Sequence, residues 1–225
     1  MVGKIDGDPR KSILAVCARM FLEKGYHQTK VSEICKAAGI SNGSFYHAFP
    51  SKDDILYEYV TFMFKNQFDM ARNVVSTQTS PLLIYATDTA VQLALTDMDD
   101  NLRDMYLEAY NSPKISAYIF ERTSTELYGL FKDYLPGYSE SDFYELEIGS
   151  GGIMRNFMSV PTNKYFTLER KIRRFLDLSF EIYHVPKAER DEVIECVLLM
   201  DLKGIAQKVV NKLFKTLSVE YPYPE

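Results

Sequence analysis

The chain has 225 residues, 46% of them hydrophobic, with nine prolines and a formal charge of −5, a balance that suits a globular protein of one large or two small domains with a core of its own. No stretch reaches the roughly 18 consecutive apolar residues of a membrane span, and the opening MVGKIDGDPRK lacks the apolar run of a secretory signal, so a cytoplasmic protein without membrane contact is expected. Three widely spaced cysteines, Cys17, Cys35 and Cys196, fit neither a disulfide framework nor a zinc motif and read as buried thiols.

The charge is unevenly distributed. Residues 1–52 carry eight Lys/Arg and four Asp/Glu, or +4, whereas residues 53–225 carry 18 and 27, or −9. A small basic unit joined to a larger acidic one suits a protein that meets phosphates at one end, since local cations set affinity for nucleic acid.

Almost every periodic segment has helical spacing, which predicts an all-α protein. The first helix is expected from about Pro9 to Lys24, with Ile13, Val16, Cys17, Met20 and Phe21 on one face and Gly25 stopping it. Val31, Ile34, Cys35 and Ala38 give a short second helix, ended by Gly39 in the left-handed position after its last turn. Ser41 is a good N-cap for a third helix, and Ile40 can pack with Phe45 as a hydrophobic staple. Phe45, Ala48 and Phe49 then anchor that helix, leaving Asn42, Gly43, Ser44, Tyr46 and His47 outward until Pro50 ends it. Ser51 caps a long fourth helix from Lys52 to about Val75, with Asp53 and Asp54 in its first turn. Further helices are expected at about 82–97, 100–111, 115–134, 141–159, 164–184 and 187–217, separated by Ser-Pro, Pro-Gly and Val-Pro breaks. The last two have long apolar stripes: Leu168, Ile172, Phe175, Leu176, Ser179, Ile182 and Tyr183 on one, Ile194, Leu198, Leu202, Ile205, Val209 and Leu213 on the other. A homodimer through these last two helices is expected from such stripes, although burial within one subunit accounts for them about equally well.

Two short helices joined by Ala38-Gly39-Ile40-Ser41, the second with a small, hydrogen-bonding outer face, describe a helix-turn-helix. Gly43 lets backbone approach DNA, Asn42 can pair bidentately with an adenine edge, and Ser44 and His47 can reach base edges or phosphates. Tyr46 and Lys52 suit phosphate. Residues 39–51 contain no Lys or Arg, so the common Arg-to-guanine contact is absent from this helix and important A·T operator positions are expected.

Residues 25–56, GYHQTKVSEICKAAGISNGSFYHAFPSKDDIL, resemble the signature of the TetR family of bacterial transcriptional regulators, with Gly25, Thr29, Val31, Ile34, Ala38-Gly39, Ser41, Gly43, Phe45-Tyr46, Phe49, Lys52 and Leu56 at matching places. The resemblance implies a DNA-binding domain at 1–51 followed by a helical ligand-binding and dimerisation domain at 52–225. It also implies a homodimer on a palindromic operator, released when a small-molecule effector binds the larger domain. On this sequence the family's DNA contacts fall on Thr29, Lys30, Ser41 to His47 and Lys52. Lys30 stands where a second Thr or Ser is common, which removes a hydroxyl cap, although Glu33 still has the position that completes a capping box.

Other signals are weaker. The run GSGG at 149–152 has neither a preceding strand nor a following Gly-Lys-Ser/Thr, so it reads as close helix packing and not as a phosphate cradle. His27, His47 and His184 lack metal or triad spacing and no carboxylate pair has acid–base context; no catalytic residue, metal or cofactor is expected. The basic run ERKIRRF at 169–175 reads as a solvated face beside a buried stripe. The middle of the chain is rich in Tyr, Phe and Met, and a ligand pocket is expected from Tyr106, Tyr110, Arg122, Tyr128, Met154 and Phe157. The contrasting reading of the whole is a helical protein-interaction module without specific DNA binding.

Overall fold

The computed structural model describes residues 8–75 and 80–220, with side chains described for all of these except 65–67, 69, 70, 74, 75 and 213–220. Eleven α-helices and no strand occur among the described residues. Three short ones begin the chain: α1 (Pro9–Lys24), α2 (Val31–Ala37) and α3 (Asn42–Ala48). The long α4 (Lys52–Val75) leads to α5 (Pro81–Met98), α6 (Asp100–Asn111), α7 (Pro113–Phe131), α8 (Glu140–Ser159), α9 (Leu168–Ile182), α10 (Lys187–Leu198) and α11 (Leu202–Glu220).

The punctuation is local chemistry. The Asp8 carboxylate accepts from the Arg10 amide at the start of α1, and Gly25, with φ +89°, ends that helix by donating to the Phe21 carbonyl. Gly39, at φ +64°, lets the Ile40 amide reach back to the Cys35 carbonyl at 3.0 Å, the 6→1 bond of a Schellman turn. Ser41 caps α3 by accepting from the Ser44 amide at 3.0 Å, and Ser51 does the same for α4 through the Asp54 amide at 3.3 Å.

Two cores result. The first joins Ile13, Val16, Cys17 and Phe21 of α1 to Ile34, Phe45 and Phe49, and it continues into α4 through Ile55, Leu56, Tyr59, Val60 and Phe64. A boundary at 51/52 therefore cuts through this core, which takes in α4 as far as Phe64. Ala109, Ile115 and Ile119 from α6 and α7 share the same cluster, so the larger unit packs directly on it. The second core surrounds α5, whose residues 85–96 are all buried and which packs against every helix from α4 to α11.

Three expectations need correction. The helix read at 187–217 is two helices, because Asp201 caps a new start: its carboxylate accepts from the Gly204 amide at 3.0 Å and its carbonyl from the Ile205 amide. Of the thiols, Cys17 and Cys35 are buried but Cys196 is exposed, on the outer face of α10 beside Glu195. The stripe offered by α9 as a dimer surface is spent on the protomer's own core: Ile172, Phe175, Leu176, Ser179 and Tyr183 are each 1% exposed or less. Ile194 and Leu202 are buried likewise, Leu198, Ile205 and Val209 pack on the same core, and the side chain of Leu213 lies outside the described residues.

Candidate nucleic-acid interface and ligand chambers

The third helix is held by its aromatic underside. Phe45 is fully buried and Phe49 is 1% exposed, and each such ring contributes on the order of 2–3 kcal/mol by leaving water. Ile40 packs partly buried on the same core. From α1, the Arg10 guanidinium donates to the Ala48 carbonyl at 2.9 Å, pairs with Glu58, and lies 4.2 Å from the Phe49 ring centroid. The helix is thus clamped from three sides, and what remains faces out: Asn42, Gly43, Tyr46 and His47 are exposed and Ser44 is half-buried. Tyr46 is 55% exposed and stands edge-on to Phe45. The Ser41 and Ser44 hydroxyls share a hydrogen bond at 2.9 Å at the helix start. No Cβ clash protects Gly43; the nearest atom to a Cβ there is Ser41 Oγ at 3.6 Å, so its openness serves an approach from outside.

Lys30, at the N-cap of α2, is exposed, and half of a capping box survives without a hydroxyl: the Lys30 amide donates to Glu33 Oε2 at 3.0 Å, and Lys24 reaches the same oxygen at 2.5 Å. These two hydrogen bonds hold the Glu33 carboxyl below its ordinary value. Thr29 departs from its expected role. It is 1% exposed, and its hydroxyl donates to the Gly25 carbonyl at 2.8 Å, so it fixes the α1–α2 turn and has no hydroxyl to offer DNA. Lys52 is also partly internal: its ammonium donates to the carbonyls of Tyr26 at 2.7 Å and Thr29 at 3.2 Å.

The run 149–152 lies in the middle of α8, where a Cβ on Gly151 would come within 3.0 Å of the Phe120 ring, consistent with close packing. In the run 169–175, Arg173 pairs with Glu195 at the surface, but Lys171 is buried and donates to the Val160 carbonyl at 2.6 Å with Asp97 3.6 Å away. That lysine ties the α8–α9 connection down and is not part of a solvated face.

Two chambers lie beyond the small unit. The first, about 650 Å³ of space including its solvent-open part, is almost wholly apolar and sits at the junction of the two units, between Leu22 of α1, Leu56, Tyr59 and Val60 of α4, and Met105 and Tyr106 of α6. The second, about 350 Å³ on the same measure, lies deeper and is polar, with Asp88 and Gln92 of α5, Thr123 of α7, and Glu147 and Ser150 of α8 among the walls. Of the expected ligand residues, Tyr106 lines the first chamber, Met154 the second, and Tyr110 both. Arg122, Tyr128 and Phe157 line neither. Arg122 pairs with Glu126 at 2.8 Å, Tyr128 packs edge-on to Phe143, and Phe157 packs on Phe166 and Phe175. Asp88 and Glu147 escaped the sequence reading although both leave a trace there: each is a carboxylate at a core register of its helix. Burial raises Asp88 to about 7 and Glu147 to about 8.

Among the described residues no group of three His, Cys, Asp or Glu could hold a metal ion, and no helix is long and apolar enough to cross a membrane.

Residues 13–59 match the family model described as bacterial regulatory proteins, tetR family. The chain is similar to the uncharacterized HTH-type transcriptional regulator YuxN of Bacillus subtilis (strain 168), 32% identical over 84 residues, which is 37% of this chain and 29% of the relative. It is 36% identical over 73 residues to the HTH-type transcriptional repressor KstR2 of Mycolicibacterium smegmatis, covering 32% of this chain and 36% of the relative. These matches thus span about a third of the relatives' length. Among solved structures, Salmonella enterica GusR superposes with a TM-score of 0.50 at 18% identity over 84% of this chain and 96% of that one, a likeness of fold. The helix-turn-helix unit at residues 13–59 is thus similar to that of the tetR family of bacterial regulatory proteins.

Proposed function

We propose that this protein is a ligand-responsive DNA-binding transcriptional regulator, a homodimeric repressor that a small molecule releases from a palindromic operator. The observation that carries the reading is the face of α3: Asn42, Gly43, Tyr46 and His47 are exposed while Phe45 and Phe49 beneath them are buried. A small, hydrogen-bonding outer face above a buried aromatic underside is what a helix needs to enter the major groove. Lys30, Ser41, Asn42, Gly43, Ser44, Tyr46 and His47 form the proposed contact set. Thr29 and Lys52 support it from beneath. The domain division is proposed within α4, after the core that ends at Phe64. The dimer surface is sought on outward residues of α8 and α9, such as Ile148 and Leu178, instead of the buried stripes.

Release follows from linkage. A single helix, α4, begins at Lys52 beneath the reading unit, lines the junction chamber through Leu56, Tyr59 and Val60, and lines the polar chamber through Phe64 and Phe68. A ligand that favours a different setting of α4 must lower DNA affinity by its differential binding energy, because paired recognition helices match successive major grooves only at a spacing of roughly 34–36 Å. The test is selection of bound duplexes from a random library. An enriched palindrome with half-sites about one helical turn apart is expected, and no enrichment by a folded dimer sinks the reading.

A further inference from the structure

The polar chamber has a chemical character that the general reading does not specify. Its described walls hold two carboxyls, Glu147 and Asp88, and no Lys, Arg or His. Glu147 is 5% exposed. Its Oε2 accepts from the Ser150 hydroxyl at 2.7 Å, and that hydroxyl also meets Tyr183 Oη at 2.7 Å. The other oxygen, Oε1, has Gly151 beside it, where a Cβ would stand 3.2 Å away. A second observation is independent of the acids. Thr123 lines the same chamber and is 8% exposed, and its hydroxyl has no hydrogen-bond partner among the described residues. Buried hydroxyls in native proteins are normally satisfied, so an orphan at a chamber wall marks a place where something else bonds.

We propose that this chamber binds an organic cation, a compact aromatic amidine or amine, whose N–H groups engage the Glu147 carboxylate and the Thr123 hydroxyl while its ring lies among Phe64, Phe68 and Phe175. Once ionised, a buried carboxylate such as Glu147 attracts a cation strongly in a low-dielectric site. The surrounding rings offer their faces to a positive charge, and a charge-assisted bond to carboxylate is among the strongest single contacts available. The proposal deepens the ligand-responsive reading above and rests on it for the consequence at DNA.

Proton linkage gives the site a signature. The titratable groups facing Glu147 are Asp88 and Tyr85 on α5, Tyr110 on α6 and Tyr183 after α9, while Glu126 on α7, paired with Arg72 and Arg122, acts on Asp88. Burial leaves the Glu147 carboxyl largely protonated at neutral pH, and a bound cation displaces that proton.

The test uses benzamidine as probe, with neutral benzamide and anionic benzoate as shape controls, each at millimolar concentration against the folded full-length protein by ligand-detected NMR and calorimetry. Benzamidine is expected to bind and the controls are not. Its affinity should fall up to tenfold per unit as pH drops below about 8, with proton release visible as a buffer-dependent heat. Glu147→Gln, whose side chain imitates the protonated acid, should weaken binding at least tenfold and flatten the pH dependence. Asp88→Asn should weaken it less. Equal binding of benzamide overturns the proposal in favour of a neutral, oxygen-bearing ligand that accepts from the protonated acid. Unchanged binding to Glu147→Gln, or no benzamidine binding at all, overturns it as well. Should Glu147→Gln fail to fold, the wild-type contrast of benzamidine with benzamide decides. Operator binding by the same sample, measured without any probe, keeps failure of the cation site distinct from failure of the regulator reading.

Discussion

The Lys52 ammonium lies 4.0 Å from the centroid of the Tyr26 ring and donates to the Tyr26 carbonyl at 2.7 Å. A second bond reaches the Thr29 carbonyl, while the Tyr26 hydroxyl returns to α4 by donating to Asp53. The first turn of α4 and the turn before α2 are therefore fastened together by one cation and one aromatic ring. Burial holds the ammonium below its ordinary value, as its position under the ring requires.

Lys52→Gln is accordingly expected to act through structure. The loss of a cation–π contact and two charge-assisted bonds, all partly exposed, should lower stability by about 1–2 kcal/mol. Operator affinity should fall on every sequence alike, with the salt dependence nearly unchanged. Lys30→Gln should do the opposite: little effect on the melting temperature, but a log K against log salt slope shallower by about 0.9, the share of one phosphate contact. A shallower slope for Lys52→Gln would reassign its remaining N–H to phosphate.

The recognition helix offers amide, hydroxyl, phenol and imidazole groups but no guanidinium. Asn42→Ala should relax discrimination at one A·T position in each half-site by about 1–3 kcal/mol, measured by competition with single-substituted operators. Tyr46→Phe should weaken all sequences by a smaller, uniform factor. An operator consensus built only on G·C pairs contradicts the assignment of Asn42 to adenine.

Most helices were legible because their ends are written in single residues. Gly25, Gly39, Ser41 and Ser51 do in the structure what their types suggest, and the apolar spacing between them identifies which faces are buried. The reading of 187–217 as one helix overlooked Asp201, whose carboxylate caps the new start through the Gly204 amide. Periodicity also could not decide what covers a buried face, which is why the α9 stripe served a dimer and a core equally well on paper. The chamber walls were the least legible part. Whether packed helices leave a gap depends on long-range geometry, and Tyr128 and Phe157 fill space where Tyr106 and Met154 border it. Glu147 was within reach, since Phe143, Glu147, Ser150 and Met154 share one buried face of α8.

The buried acids set the pH dependence of stability. Glu147 titrates near 4.5 when unfolded and at about 8 in the folded chain, and Asp88 moves from 3.8 to about 7. With folded values raised, the native state holds more protons than the unfolded one, so each acid's full contribution is present below its unfolded value and is lost as pH rises to the folded value. Wild-type stability should therefore fall from about pH 4.5 toward pH 8 relative to Glu147→Gln, reaching a few kcal/mol. Asp88→Asn should show the same trend in a window lower by about one unit. Urea midpoints across that range measure it. A wild type and Glu147→Gln with parallel profiles would mean that Glu147 is ionised and compensated in the fold.

The two units have a second connection, through α6. Asn101 in its first turn donates to the Leu22 carbonyl at 2.8 Å, and Glu108 further along meets His27 Nε2 at 3.3 Å. The same helix supplies Tyr106 and Tyr110 to the chambers. Leu22 belongs to the last turn of α1, whose carbonyls have no partner within the helix, so Asn101 completes that end and sets where Gly25 must turn. A Cβ on Gly25 would approach Asn101 Oδ1 to 2.8 Å and would hold φ +89° against its preference. Asn101→Ala should leave the α5–α9 core intact but release the turn: the amides of Gly25 and Thr29, bonded to the Phe21 and Tyr26 carbonyls, should exchange with solvent about 5- to 30-fold faster, the equivalent of 1–2 kcal/mol. Operator affinity should fall with an unchanged salt slope, since no phosphate contact is lost and only the setting of α2 and α3 on the larger unit is loosened. Equal exchange in the variant and the wild type would remove α6 from the path and leave α4 as the connection between chamber and reading head.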